Sequence, residues 1–273
     1  METASPQYDS TLADDAKVTI KQKRKVGRFL LMALISLIVI IFISNLMLIY
    51  SGSNEWEVEL EEKGLTIYSL KEPGTSEKKY RITKRYNLGL NQVVSAMLDP
   101  SLEQCAAWDP NCYYAEAIEE FNVETLSGIN LWRMNMGDLF LPREFLLKTQ
   151  LSQDPESKSV LIQFNSIMDN EHIDECCIRV DSNISWRFTP VDDGVIEIDY
   201  IYDLKFNGAF PAFLSNIVVP EMLIRFFADE VEGLFNMDKF KNAEKLSFIT
   251  FKEKVDVIKV VEEASQSVES LSL

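Results

Sequence analysis

Between Asp203 and Phe235 the spacing of apolar residues changes, and that change narrows the choice of fold more than any other feature of this 273-residue chain. On the approach, Ile196, Ile198, Tyr200, Tyr202, Leu204 and Phe206 alternate with Glu197, Asp199, Asp203 and Lys205. Period two with one apolar and one charged face predicts an antiparallel strand covered on a single side. Asn207-Gly208 predicts a turn, and Pro211 a helix start, since a proline in the first helical turn forfeits no hydrogen bond. Phe213, Ile217, Ile224, Phe227, Val231 and Leu234 then recur at three- and four-residue steps with Pro220 on the same stripe, while Glu221, Arg225, Asp229 and Glu232 occupy a narrower arc. The prediction is a long amphipathic helix, kinked at Pro220, whose wide apolar face lies on a concave apolar surface.

The preceding residues read as the strands of that surface. Period-two runs begin at Trp56 and continue through Gly64–Tyr68, Tyr80–Leu88, 115–123, 126–136, 143–151, 159–168, 176–189 and 194–206. Ser127-Gly128, Gly137-Asp138, Asp154-Pro155, Asp169-Asn170 and Asp192-Asp193-Gly194 supply turns between them. Two short helices are expected at Asn91–Met97 and Leu102–Ala107, each ended by an Asp-Pro signal. Many strands, two small early helices and one long late helix make the class α+β, a curved antiparallel sheet closed by a C-terminal helix. Residues 239–263 fit either strand or helix, with Phe251, Val255, Ile258 and Val261 keeping a helical step. The last ten residues are serine-rich and expected to be loose.

Ahead of this domain, Phe29–Tyr50 is a run of 22 residues without a charge, enough helix to cross ~30 Å of hydrocarbon. It is too long for the apolar core of a cleaved signal peptide and ends without small residues, so an uncleaved transmembrane anchor is expected. Lys21, Lys23, Arg24, Lys25 and Arg28 precede it and Glu55, Glu57, Glu59, Glu61 and Glu62 follow it. The positive-inside bias therefore predicts a cytoplasmic N-terminus and a main domain on the far side, periplasm or lumen. The expected divisions are a basic tail at 1–28, the span at 29–50, the folded domain at 55–237 and a charged extension at 238–273.

The net charge of −16 conceals six basic residues within 16–28. The remainder is so acidic that nucleic acid is excluded as a partner, because phosphate binding requires clustered Lys and Arg. One histidine, His172, leaves little for histidine catalysis or zinc; the acidic loop around it, Asp169–Glu175, lacks the order and glycine of a calcium loop and reads as a hairpin tip. No nucleophile elbow, phosphate loop or dinucleotide fingerprint is present. No enzyme activity, cofactor or metal is expected. Four cysteines are too few for a disulfide scaffold; buried thiols are the default, though Cys105 and Cys112 could bridge around Trp108 in an oxidising compartment. Asn183-Ile184-Ser185 is a glycosylation sequon that matters only in a lumenal domain.

Several of these signals fall in a known order. Trp56 with Gly64-Leu-Thr-Ile-Tyr68, Trp108-Asp109 after two small helices, Leu141-Pro-Arg-Glu-Phe145, Ile178-Arg179 with Trp186 and Pro190, and Asp203-Leu-Lys with Gly208, Pro211 and Asn216 together resemble a START (steroidogenic-acute-regulatory-related lipid transfer) domain over some 180 residues. Glutamate stands at 144 where the family has aspartate, and two extra residues lie between Lys205 and Gly208. The resemblance implies a helix-grip fold, a tunnel for one lipid-sized apolar ligand, and no catalytic chemistry.

On that basis the tunnel lining is expected from Trp132, Met134, Phe145, Leu147, Phe164, Trp186, Tyr200, Tyr202, Phe213, Ile217, Ile224 and Phe227. Ordinary solid core is the competing assignment for each. Arg133 and Arg143 are the polar candidates, with surface strand charge as the competing assignment; a buried guanidinium needs a partner, for which Glu144, Glu197 or Asp199 could serve. Pro220 and Gly208 are the predicted flex points of the closing helix. The expected protein is a monomeric, membrane-anchored lipid-binding module. An anchored interaction domain with a filled core, or an enzyme on the same scaffold, are the alternatives.

Overall fold

The structure is a computed structural model that describes residues 10–168, 176–192, 194–208 and 210–251, with no side chain described for residues 10–27, 45 and 48. The tail at 1–9, the acidic loop carrying His172, Asp193 of the Asp192–Gly194 turn and the segment 252–273 lie outside the described residues.

The chain divides into two compact units, residues 1–52 with 73–76, and residues 53–72 with 77–273. The first contains helix α1 (Ser10–Tyr50), which carries the uncharged run. Its apolar side chains from Phe29 to Ile43 are exposed. Among the described residues no helix is long and apolar enough to cross a membrane.

The second unit is built on one antiparallel sheet in the order β1 (Trp56–Glu62), β2 (Leu65–Leu70), β3 (Lys79–Tyr86), β10 (Val195–Tyr202), β9 (Asp181–Asp192), β7 (Val160–Ser166), β6 (Arg143–Gln153), β5 (Ser127–Met134) and β4 (Cys112–Asn122). Two short strands flank it: β8 (Ile178–Arg179) pairs parallel with β6, and β11 (Leu204–Lys205) pairs with β9. The expected strand 176–189 is therefore broken in two. The Ile178 and Val180 N–H groups donate to the carbonyls of Pro142 and Glu144, which binds the chain to β6 before it turns to join β7. At the far edge β4 is bulged. A Cβ on Gly128 would stand 3.0 Å from the Glu119 carbonyl oxygen, so only glycine lets the bulged strand close on β5.

Alternation puts Ile67, Tyr80, Ile82, Tyr86, Ile196, Ile198, Tyr200, Tyr202, Trp186, Phe188, Ile162, Phe164, Leu147 and Phe145 in the core. The inward period-two set of β10 matches the expectation from sequence. Helices α2 (Leu90–Met97) and α3 (Leu102–Trp108) close one side. The Ser101 hydroxyl caps α3 by accepting the Gln104 N–H at 3.2 Å.

The closing helix differs from expectation in an informative way. It continues through Pro220 as α4 (Ala212–Arg225), passes into a π-turn at Phe226–Glu230 and resumes as α5 (Val231–Phe235). The buried residues are Ser215, Val219, Pro220, Leu223, Ile224, Phe227, Val231, Leu234 and Phe235. Phe213 and Ile217, assigned to the tunnel lining from their spacing, are 59% and 62% exposed. The π-turn does not account for this, because Pro220 and Ile224 lie ahead of it on the same stripe and are buried. Ahead of Pro220 the buried positions are instead Ser215 and Val219, which leaves Ile217 and Phe213 on the outer face.

Packing also extends past residue 237. Helix α6 (Asp238–Lys241) and the irregular segment that follows bury Phe240 and Ile249. Asn91 holds this segment by donating to the carbonyls of Ala243 and Glu244 and accepting the Leu246 N–H at 2.8 Å. Gln153 accepts the Thr250 N–H at 2.9 Å and donates to its carbonyl at 2.7 Å.

Candidate functional site

Strand register places two different surfaces side by side on the inner face of the sheet. Under α4, the π-turn and α5 lies an aromatic layer contributed by β3, β10 and β9. Trp186 meets Tyr200 at 4.4 Å between ring centroids, Trp108 at 5.5 Å and Phe227 at 5.7 Å, and Tyr200 meets Phe227 at 5.3 Å. Phe235 stands edge-on to Trp186, Phe188 and Trp108. Such contacts each add ~0.5–1.5 kcal/mol beyond area burial, so this layer is what grips the helix. Over β4, β5 and β6 the inner face is thinner, with Ala115, Ala117, Gly128, Asn130, Trp132 and Met134 opposite Phe145, Leu147 and Thr149. There a cavity of about 30 Å³, bounded by Leu98, Pro100, Ala117, Phe121, Gly128, Asn130 and Thr149, has room for a water rather than an acyl chain. A larger open groove of about 490 Å³ lies by Trp56, Gly64, Thr66, Tyr68, Arg81 and Thr83.

The helix is fastened where its own hydrogen bonding is irregular. Pro220 has no N–H to offer the carbonyl of Asn216, and that carbonyl accepts the Tyr80 hydroxyl at 3.2 Å. Within the π-turn, the carbonyl of Phe227 accepts the Tyr86 hydroxyl at 2.5 Å and the Lys84 ammonium at 2.7 Å. All three donors come from β3. Burial raises the pKa of both tyrosines well above the ordinary phenol value, so they remain donors at any physiological pH. Tyr200 and Tyr202 are shifted upward by burial in the same sense.

Charged residues are buried around the start of β6. Glu144, 1% exposed, accepts from Arg133 Nε at 2.9 Å on one oxygen and from Arg179 at 2.7 Å on the other. Arg179 is the member that sequence reasoning missed, because β8 brings it beside β6 only in three dimensions. Arg143, also 1% exposed, does not use any of the carboxylates expected for it. Its guanidinium donates to the carbonyls of Phe206 at 2.7 Å, Asn207 at 3.1 Å and Leu141, with the Phe210 ring 5.9 Å away. Burial lowers its pKa from the ordinary guanidinium value. It thereby holds the turn that leads into α4. Asn207 and Gly208 take positive φ there, 56° and 63°, and a Cβ on Gly208 would stand 2.5 Å from Ile178 Cδ1. Glu197 and Asp199, the other carboxylates considered, pair instead with Arg85 and Arg81.

Of the residues assigned to the site from sequence, Phe145, Leu147, Phe164, Trp186, Tyr200, Tyr202, Ile224 and Phe227 are buried in one cluster, and Trp132 and Met134 pack partly buried against it. Arg133 and Arg143 lie at its edge, and Phe213 and Ile217 lie outside it. The cysteines are bridged, Cys105 to Cys112 and Cys176 to Cys177, in place of the expected thiols. Asn183 of the sequon is exposed. Among the described residues no cluster of His, Cys, Asp or Glu is arranged to hold a metal ion.

No family model matches the chain, and no curated protein is significantly similar to it in sequence. Solved structures do resemble it. Human StAR-related lipid transfer protein 5 superimposes with a TM-score of 0.56 at 14% identity, covering 84% of this chain and 98% of its own. A STAR-related lipid transfer protein from Xanthomonas axonopodis gives 0.54 at 13% identity, covering 66% and 96%. The lipid transfer and protein localization domain of human StarD13 gives 0.53 at 14% identity, covering 67% and 88%. The fold is START-like. At such identities the likeness extends to the START-like architecture, a curved antiparallel sheet gripping a C-terminal helix, and not to particular side chains.

Proposed function

We propose that this chain is a single-pass membrane protein whose START-like domain binds one lipid or other apolar molecule between the curved sheet and its closing helix, without catalysing a reaction on it. The observation that carries the proposal is the wide apolar inner face of a START-like sheet, covered by a single C-terminal helix that is tied down at isolated carbonyls. With the inner face filled by side chains, the ligand enters by displacing the helix rather than by occupying a standing tunnel. Burial of apolar surface at ~25 cal/mol per Å² means a few hundred Å² of lipid supplies about 5–10 kcal/mol toward the cost of that displacement.

The uncharged run 29–50 of the sequence is what supports the anchor. Its basic and acidic flanks put the N-terminus in the cytoplasm and the domain in a periplasm or lumen. The two cysteine bridges accord with an oxidising compartment. A monomer suffices for this function.

To test it, the full chain is reconstituted in phosphatidylcholine nanodiscs and offered fluorescent sterol, phospholipid and fatty-acid probes carried by donor vesicles. Saturable uptake of one class supports ligand binding; no uptake of any class sinks it. Protease protection on intact cells or vesicles tests the sidedness. The second interpretation, an interaction domain with a permanently filled core, is favoured by the close ring packing of Trp186 with Tyr200, Trp108 and Phe227. It predicts no uptake together with capture of a protein partner.

A further inference from the structure

Among the described buried side-chain atoms, four lack a hydrogen-bond partner: Ser95 Oγ, Gln104 Oε1, Ser182 Oγ and Trp132 Nε1. The two serine hydroxyls rotate freely to seek acceptors, and Gln104 is already fixed through its amide nitrogen, which donates to the Ala96 carbonyl. Trp132 differs. Indole nitrogen is a donor only, and a rigid bicyclic ring cannot redirect it without moving the whole side chain. A buried donor left without an acceptor is costly and calls for a physical explanation.

Its surroundings supply one. Trp132 lies on the inner face of β5, opposite Phe145 on β6 and Ala115 on β4. On this part of the inner face β4 contributes alanines, and Asn130, the next inward residue along the strand, lines the 30 Å³ cavity. Asn130 Nδ2 donates to the Thr149 hydroxyl oxygen at 3.3 Å. Arg143, diagonal to Trp132 on the same face, is engaged with three backbone carbonyls. The indole N–H is thus a buried donor with no acceptor among the described residues.

We propose that Trp132 Nε1 is the polar anchor of the ligand site. It donates a hydrogen bond to an uncharged acceptor oxygen (hydroxyl, carbonyl or ester) of an amphiphile lodged against β4, β5 and β6, and so selects such molecules over plain hydrocarbon. The inference rests on the ligand-binding function proposed above and adds the class of ligand and the atom that recognises it. An uncharged acceptor fits because the donor is neutral and the neighbouring guanidinium is already occupied.

The test compares matched probes on the full chain in nanodiscs: cholesterol against cholestane, and methyl palmitate against octadecane, with bound probe measured by mass spectrometry. Whichever skeleton the site accepts, the oxygenated member binds more tightly. Trp132→Phe, which removes the N–H and keeps an aromatic ring, weakens that member about five- to tenfold, the worth of one hydrogen bond, and leaves the hydrocarbon unchanged. The ligand-free variant loses no hydrogen bond, so any fall in its melting point reports only the smaller ring. A second measurement needs no variant: of the four tryptophan indole N–H proton resonances, one moves downfield with the oxygenated probe and stays put with the hydrocarbon. Equal binding of each pair by the parent, an unshifted indole resonance, or equal weakening of both probes by Trp132→Phe overturns the inference while leaving lipid binding intact. Failure of the parent to bind any probe removes the function on which it rests.

Discussion

Replacing Glu144 by glutamine separates an electrostatic role at the start of β6 from a merely steric one. The side chain is almost isosteric, but it exchanges a carboxylate that serves two guanidinium groups for an amide with one acceptor oxygen. Arg133 is partly exposed and retains water, whereas Arg179 has a side chain only 6% exposed and keeps just the Ile167 carbonyl at 2.7 Å. Leaving one charge of a buried pair uncompensated costs about 3–5 kcal/mol. The acceptor oxygen retained by glutamine places the variant near the lower end, about 3 kcal/mol. For a domain of this size each kcal/mol shifts the midpoint by roughly 2–4 °C, so a fall of roughly 6–12 °C is expected in thermal unfolding followed by near-UV circular dichroism. The loss persists in 1 M salt, ~3 Å of Debye length, because a buried pair is poorly screened. Glu144→Leu combined with Arg179→Met melts above Glu144→Gln alone, since exchanging both partners for apolar groups removes the orphaned charge. A Glu144→Gln midpoint within about 2 °C of the parent would refute the claim that the carboxylate compensates buried charge.

Three further outcomes follow from the same structure. Phe213→Ala and Ile217→Ala each change unfolding free energy in denaturant titrations by no more than about 0.5 kcal/mol, whereas Phe227→Ala costs about 3–5 kcal/mol; comparable losses at 213 and 227 would restore the unbroken helical stripe. Gly208→Ala costs about 1–2 kcal/mol in the same titration, because φ of 63° disfavours any Cβ, and trimming Ile178 to valine recovers only the steric part. Asp99 is pushed up by burial, but hydrogen bonds from Lys239 and Ser101 outweigh this and hold its carboxyl below the usual range. A depressed folded-state pKa stabilises the protein above the unfolded carboxylate value of ~3.9, and the benefit is lost as the pH falls through the folded-state value. Asp99→Asn is therefore less stable than the parent by up to about 1 kcal/mol at neutral pH, and the gap closes on acidification; a gap that widens in acid contradicts the pairing.

Most of the fold was legible because strand alternation is a local signal with a global meaning. Ile196 to Leu204 need no partner to declare which face is covered, and β10 is buried on that face along its whole length. The order of elements, the two small helices and the late closing helix were likewise written in periodicity and turn residues. The site was only half legible. Eight of the assigned lining residues converge on the aromatic cluster, but Phe213 and Ile217, on the same stripe, stay exposed because ahead of Pro220 the buried positions are Ser215 and Val219. Nothing in Phe226–Glu230 announces a π-turn locally; it forms where Tyr86 and Lys84 reach the Phe227 carbonyl from β3. The partners of Arg143 escaped notice for a related reason. A search for carboxylates overlooks backbone carbonyls, and those of Phe206 and Asn207 converge only once the chain takes its left-handed turn.

By itself the sequence determined what each segment must hide and what it must leave wet: an uncharged run of 22 residues, strands with one apolar face, and a C-terminal amphipath. These are properties of composition at fixed spacing, so they hold before any long-range contact forms. The tertiary structure alone decided which buried polar groups meet. Arg179 reaches Glu144, Tyr80 reaches the Asn216 carbonyl to which Pro220 offers no N–H, and Trp132 faces the inner surface with no acceptor among the described residues. Each depends on hydrogen-bond geometry between residues distant in sequence, and that geometry exists only after the sheet has curved around the helix.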